Sequence, residues 1–196
     1  AYPPGSTFKI VTALSYLKAH GSIDGYDYNC EGSITMDGHT ITCYDGEVHG
    51  EEDFTTAFAK SCNSAFASIG VDIGKSKLTQ TAESLLFNSK LPIPIEYNKS
   101  KFDLGEHPGK PLLMQTSIGQ GNTLVSPMHM AMIVSAIAND GVLMKPYYVD
   151  HVENVNGDVV KTTKPAEYKR ILESSEATVM QNLMEAVVNQ GTASSL

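Results

Sequence analysis

Tyr2-Pro3-Pro4-Gly5-Ser6-Thr7-Phe8-Lys9 is the stretch on which the reading of this chain turns. Pro-Pro-Gly is turn chemistry, and beyond it Phe8, Val11, Leu14 and Leu17 recur at helical intervals until Gly21 stops the pattern. A loop therefore feeds a helix that begins at or beside Ser6. Ser6 and Lys9 stand three residues apart at that start and share one helix face. A serine is a weak nucleophile until a base lies within hydrogen-bond reach, and a lysine is such a base only where its surroundings favour the neutral amine. A helix N-terminus carries partial positive charge, which disfavours an ammonium and helps to hold an oxyanion. The same two residues also fit a plainer role, Ser6 as a helix N-cap and Lys9 as a solvated first-turn side chain. Ser15-Tyr16-Leu17-Lys18 repeats the spacing deep in the helix, without the terminal dipole or the preceding turn, and reads as an ordinary surface pair.

Ser61-Cys62-Asn63 is the second feature, the only Ser-x-Asn in the chain. Asp53 is a good N-cap for a helix over Phe54 to Lys60, and Phe66, Ile69, Gly70 and Gly74 indicate another after Asn63. The tripeptide thus falls at a helix junction, which presents both polar side chains. A hydroxyl there can relay a proton between Lys9 and a leaving group, and an Asn amide can hold both Lys9 and a substrate amide. The plainer reading is a capping Ser with an Asx turn.

In this order the two motifs resemble the penicillin-binding transpeptidases and serine β-lactamases, in which Ser-x-x-Lys, Ser-x-Asn and Lys-[Ser/Thr]-Gly follow one another. Their flanks resemble the transpeptidases in particular. So do Ser117-Ile118-Gly119-Gln120-Gly121, Val125-Ser126-Pro127-Met128-His129-Met130-Ala131 and Asn139-Asp140-Gly141-Val142-Leu143-Met144-Lys145-Pro146. The third motif is missing, for Lys161-Thr162-Thr163 lacks the glycine and precedes the final helix, whereas the family carries that motif on a later strand.

The resemblance implies that a parent protein cross-links peptidoglycan. Ser6 would attack the penultimate D-alanine carbonyl of a stem peptide, Lys9 would be the base, Ser61 would pass the proton to the leaving amine, and Asn63 would orient Lys9 and the donor peptide. Cys62, Gln120 and Gly121 would contact substrate. β-Lactams would acylate Ser6. No metal and no organic cofactor is implied, and the implied location is the extracytoplasmic face of the bacterial cell membrane, the parent being anchored there. A β-lactamase or D,D-carboxypeptidase of the same superfamily and a non-catalytic penicillin-binding sensor remain as alternatives. Residues 1–196 are expected to be a partial transpeptidase domain, its central sheet mostly outside the chain and its acylation impaired. The expected fold is mainly α with small β-hairpins near residues 33–42 and 151–162, the helical lobe of an α/β family. With that sheet gone, Phe8, Val11 or Leu14 would face solvent or another copy, so self-association is expected.

The rest of the chain fits this frame. Ser126-Pro127 is an N-cap with Pro at the first helical position, and the helix it opens ends at Asn139-Asp140-Gly141. Residues 91–113 form an irregular Pro- and Gly-containing connection, and a last helix spans about Ser175 to Asn189 with Gly191 as its stop. The stripe of Met128, Met130 and Met132 is expected to be core packing rather than a cofactor box.

Composition excludes other classes. Hydrophobic residues make up 41% of the 196, charged residues only 18%, and the net charge is -8, so neither disorder nor phosphate-backbone binding fits. No apolar run reaches the roughly 18 residues that span a bilayer. Three cysteines leave three readings: a Cys30–Cys43 cystine across the first hairpin, a metal held by those two with His39 and His49, or plain buried thiols. The intervals match none of the paired-ligand spacings of structural zinc sites, and Cys62 is expected to stay apart and unpaired.

Overall fold

A computed structural model describes residues 1–195. The motif segment opens it with a 3-10 turn, Gly5–Phe8, that runs directly into α1 (Lys9–His20). Pro4 occupies the cap position, so Ser6 lies inside the first turn and its hydroxyl caps nothing. Phe8, the next apolar residue, is fully buried and packs edge-on against Phe87 and face-on against Phe102, both at 5.8 Å between centroids. That pairing anchors the turn from below, while Ser6 itself stays exposed.

After α1 come β1 (Asp27–Cys30), β2 (Ser33–Met36), β3 (His39–Thr42), β4 (Gly50–Asp53) and α2 (Phe54–Ala59). The β2–β3 hairpin turns at Asp37-Gly38 as expected, with Ser33 opposite Thr42. The β1–β4 pair was not expected, since Asp27 and Asp53 meet only through tertiary structure. The long α3 (Asn63–Ser84) is broken at Gly74, whose φ of 67° interrupts the helix. α4 (Lys110–Ser117) begins inside the stretch read as irregular, because Pro111 sits harmlessly in its first turn. α5 (Pro127–Ala138) is capped by Ser126, which accepts from the His129 N–H at 3.2 Å. β5 (Val142–Met144) pairs with β8 (Glu167–Arg170), and β6 (His151–Glu153) with β7 (Val159–Thr162), the second anticipated hairpin. α6 (Ser174–Gln190) completes a mainly helical lobe whose strands form four two-stranded sheets among the described residues.

One expectation fails. Phe8, Val11 and Leu14 are each 0% exposed, covered from within the chain by packing against α3, α4 and α6. The Thr12 hydroxyl donates to the Ser117 carbonyl at 2.8 Å, and Gly70 lies so close to Ser117 that an added Cβ would fall 2.4 Å from its side chain. With α1 sealed on these sides, the ground given for self-association disappears.

Candidate active site

α2 determines where Ser61 points. The helix ends with the Cys62 N–H bonded to the Ala57 carbonyl at 2.9 Å and the Ser61 N–H to Phe58 at 3.0 Å, the paired bonds of a Schellman ending. That ending requires a left-handed residue, and Ser61 adopts φ 57° where glycine is usual. The strain aims the hydroxyl at the Ser6 turn. Ser61 Oγ donates to Ser6 Oγ at 3.0 Å and accepts from Lys9 Nζ at 2.9 Å, so a continuous hydrogen-bond path joins serine, serine and lysine.

Lys9 is 2% exposed and uses all three ammonium donors: on Ser61 Oγ, on the Ser61 carbonyl at 2.6 Å and on Asn63 Oδ1 at 2.7 Å. Its charge also lies 5.6 Å from the centre of the Phe66 ring. Burial pulls the ammonium down from 10.5 to about 8, outweighing the opposing pull of Cys62, Cys43 and Glu52. The solvated reading of Lys9 is thereby excluded. Asn63 is fixed from its other end, its Nδ2 donating to the Thr42 carbonyl at 3.0 Å where β3 ends.

A cleft of about 280 Å³ opens beside this path. Ser6, Lys9 and Ser61 line one side, Phe58 the floor, and Met184, Val187 and Val188 of α6 the other. Gly191 lets α6 approach, since a Cβ there would meet the Ala59 carbonyl at 2.2 Å, and the Thr192 N–H bonds that same carbonyl at 3.1 Å. Gly191 is the stop of α6 as expected, and with a φ of -116° it is close packing that requires glycine there.

Of the residues expected to contact substrate, Gln120 and Gly121 are exposed and lie on a loop tied to the Ser6 turn, with the Gly5 N–H bonded to Gly119 O at 2.9 Å. Neither lines the cleft. Cys62 is 0% exposed and does not line the cleft either.

Cys62 does not stand apart from the other thiols either. Its Sγ lies 3.8 Å from Cys43 Sγ, which lies 3.7 Å from Cys30 Sγ, and all three cysteines are free. His49 joins them, with Nδ1 3.3 Å from Cys30 Sγ, whereas His39 turns to the Gln115 amide at 3.1 Å. Sequence spacing could not reveal this group, because its members come from four separate segments.

Comparison with known proteins agrees with this geometry. The penicillin binding protein transpeptidase domain family matches residues 1–195. Peptidoglycan D,D-transpeptidase PbpA of Mycobacterium tuberculosis is 31% identical over 188 residues, covering 93% of this chain and 38% of that protein. Stage V sporulation protein D of Bacillus subtilis is 29% identical over 97% of the chain and 30% of its own length. Among solved structures, the imipenem acyl-enzyme complex of M. tuberculosis penicillin-binding protein A superposes with a TM-score of 0.85 at 29% identity, over 96% of this chain and 44% of that one. The D,D-transpeptidase domain from Eggerthella lenta gives 0.87 at 29% identity, over 98% and 50%. The chain therefore spans well under half the length of the curated relatives it matches. Residues 1–195 carry an exposed serine, its hydroxyl relay and a desolvated lysine on the scaffold of these proteins, and the chain belongs to the penicillin-binding protein transpeptidase family.

Proposed function

We propose that the protein containing this chain is a peptidoglycan D,D-transpeptidase and that residues 1–195 form its helical lobe, the chain spanning 38% of PbpA. Ser6 Oγ attacks the carbonyl of the penultimate D-alanine of a stem peptide and loses its proton along Ser61 Oγ to the Lys9 amine. The tetrahedral intermediate collapses, the bond to the terminal D-alanine breaks, and Ser61 returns a proton to the departing amine. The amine of a neighbouring stem peptide then displaces Ser6. Asn63 holds Lys9 through Oδ1 and keeps one amide hydrogen for the donor peptide, since the other is engaged by Thr42. The oxyanion is received by the backbone N–H of Ser6 and by one donor from outside residues 1–196. Gln120 and Gly121 border the donor's path.

The observation that carries this reading is the Ser6–Ser61–Lys9 relay. With three donors engaged, Lys9 rests as an ammonium, and a pKa of about 8 leaves an appreciable neutral fraction near neutral pH for abstracting the serine proton. β-Lactams, which form acyl-enzymes with the M. tuberculosis neighbour, acylate Ser6 by the same route. A transpeptidase working on cell-wall peptides acts outside the cytoplasmic membrane. Among the described residues no helix is long and apolar enough to cross one.

The test is labelled penicillin with the full-length protein. The adduct is expected on the tryptic peptide containing Ser6 and is lost in Ser6→Ala. Label on Ser15 or Ser61, or label surviving Ser6→Ala, removes the assignment.

A further inference from the structure

Beneath the relay lies a group that the proposed reaction does not use. Donor atoms of Cys30, Cys43, Cys62 and His49 all fall within 4.8 Å of one another, and the three cysteines are at most 3% exposed. We propose that these four side chains bind one divalent cation of the zinc class, through three thiolates and His49 Nδ1.

Distances distinguish this from a disulfide. A cystine needs its sulfurs at about 2.05 Å. A tetrahedral zinc with bonds of about 2.3 Å to sulfur and 2.0 Å to nitrogen holds sulfurs roughly 3.8 Å apart and a nitrogen roughly 3.5 Å from each. The chain has 3.7 and 3.8 Å between sulfurs and 3.3 Å from Cys30 Sγ to His49 Nδ1, close to three of the six edges of that tetrahedron, and the remaining three are no longer than 4.8 Å.

The surroundings are those of a metal centre. The Gly32 and Ala65 N–H groups each point at a sulfur at 3.4 Å, and the buried Ser64 hydroxyl lies within 3.5 Å of all three. Glu47 Oε2 lies 3.5 Å from His49 Nε2, the carboxylate contact that leaves Nδ1 free as the ligand. Glu52 is 3% exposed and neither carboxylate oxygen has a hydrogen-bond partner, while Oε1 is 3.9 Å from His49 Nδ1.

The four ligands close loops that little else holds. Cys30 ends β1, Cys43 follows β3, His49 precedes β4 and Cys62 caps α3, while Ile41 is the single buried hydrophobic residue of the β2–β3 hairpin between them. Cys62 also stands between Ser61 and Asn63, so the cation positions the relay without touching the reacting atoms. That positioning role rests on the proposed function, whereas the binding does not. No redox change is involved: the thiols release their protons to solvent as the metal binds.

The test uses full-length, untagged protein with zinc and cobalt(II) as probes. Elemental analysis is expected to find bound zinc, peptide mapping after denaturation should find Cys30, Cys43 and Cys62 all as free thiols, and cobalt should give the intense visible bands of tetrahedral thiolate coordination. Cys43→Ser should lower zinc affinity by a factor of a hundred or more, and Glu47→Gln by roughly tenfold. His49→Cys guards against a folding failure, since four thiolates should retain the metal. Wild-type protein that takes up no zinc with Cys30, Cys43 and Cys62 all reduced, or that shows two of these three lost to a disulfide, overturns the proposal. If chelation removes zinc yet leaves penicillin acylation unchanged, the positioning role falls while binding and the Ser6 assignment stand.

Discussion

Lys9 and Ser61 are joined twice, Lys9 Nζ donating to both the carbonyl and the hydroxyl of Ser61, at 2.6 and 2.9 Å. The lysine therefore holds in place the residue through which it reaches Ser6. Lys9→Ala is expected to slow acylation by roughly 10² to 10⁴, the range for a positioned acid or base. It should also lower stability by about 1–3 kcal/mol through the unpaired carbonyl. Pre-steady-state labelling with a fluorescent penicillin, with chemical denaturation alongside, checks both, and an unchanged acylation rate would exclude the lysine as base.

Ser61 sets function against stability. Its left-handed backbone is costly for any residue but glycine, by about 1–2 kcal/mol. Ser61→Gly and Ser61→Ala both delete the relay hydroxyl, so both should acylate slowly, yet the glycine variant should be the more stable by about 1 kcal/mol. Urea midpoints at matched m-values decide this. Equal stability of the two variants would show that the turn carries no strain.

Acylation should follow the titration of Lys9. Burial lowers its pKa to about 8, and only the neutral amine accepts the serine proton, so the rate should climb as pH rises through that value. Rates measured from pH 6 to 10 test the sign, and a flat or falling profile contradicts it.

Gly119 should tolerate no side chain. It has φ 76°, and an added Cβ would lie 1.9 Å from the Gly5 carbonyl, so Gly119→Ala must push the Ser6 turn aside. Labelling is expected to drop at least tenfold, a misplacement effect of the kind that small shifts in a catalytic group produce. Wild-type labelling in this variant would mean that the 117–121 loop does not position Ser6.

His129 gives the fold an acid limit. It is 1% exposed, with Nε2 donating to the Leu85 carbonyl and Nδ1 accepting from Ser100, both at 2.7 Å. Burial lowers its pKa, against a smaller opposing pull from the Leu85 carbonyl. The unfolded chain therefore takes up the proton first, and stability present above about pH 6.5 is lost as pH falls below it. Relative to His129→Gln, the wild-type advantage in denaturant midpoint should shrink between pH 7 and 5. A constant difference would indicate that the histidine does not titrate in this range.

How much could be read in advance depended on how local each cause was. The Ser6 turn, the Ser126-Pro127 cap and the hairpin at Asp37-Gly38 are written in neighbouring residues, and the structure has all three. Both polar motifs were legible as well, although only tertiary packing could bring Ser61 Oγ to Ser6 or seal Lys9 from water. The β1–β4 and β5–β8 pairs join distant segments and left no local signature. Cys62 was set apart from Cys30 and Cys43 because it is distant in sequence, and the burial of Phe8, Val11 and Leu14 was missed because the covering helices could not be placed beforehand.

Because Ser6 lines the cleft near one end of the chain and Val187, Val188 and Thr192 near the other, the cleft is the most non-local feature of the lobe. Contacts of such long range form late in folding, when most of the loop entropy has already been lost. The relay needs only residues 6–63 and none of the wall that α6 supplies. Amide hydrogen exchange should register this order, with the end of α6 opening in smaller, more frequent excursions than α1. The serine is thus activated without any residue of α6, and the width of the groove can fluctuate without disarming the nucleophile.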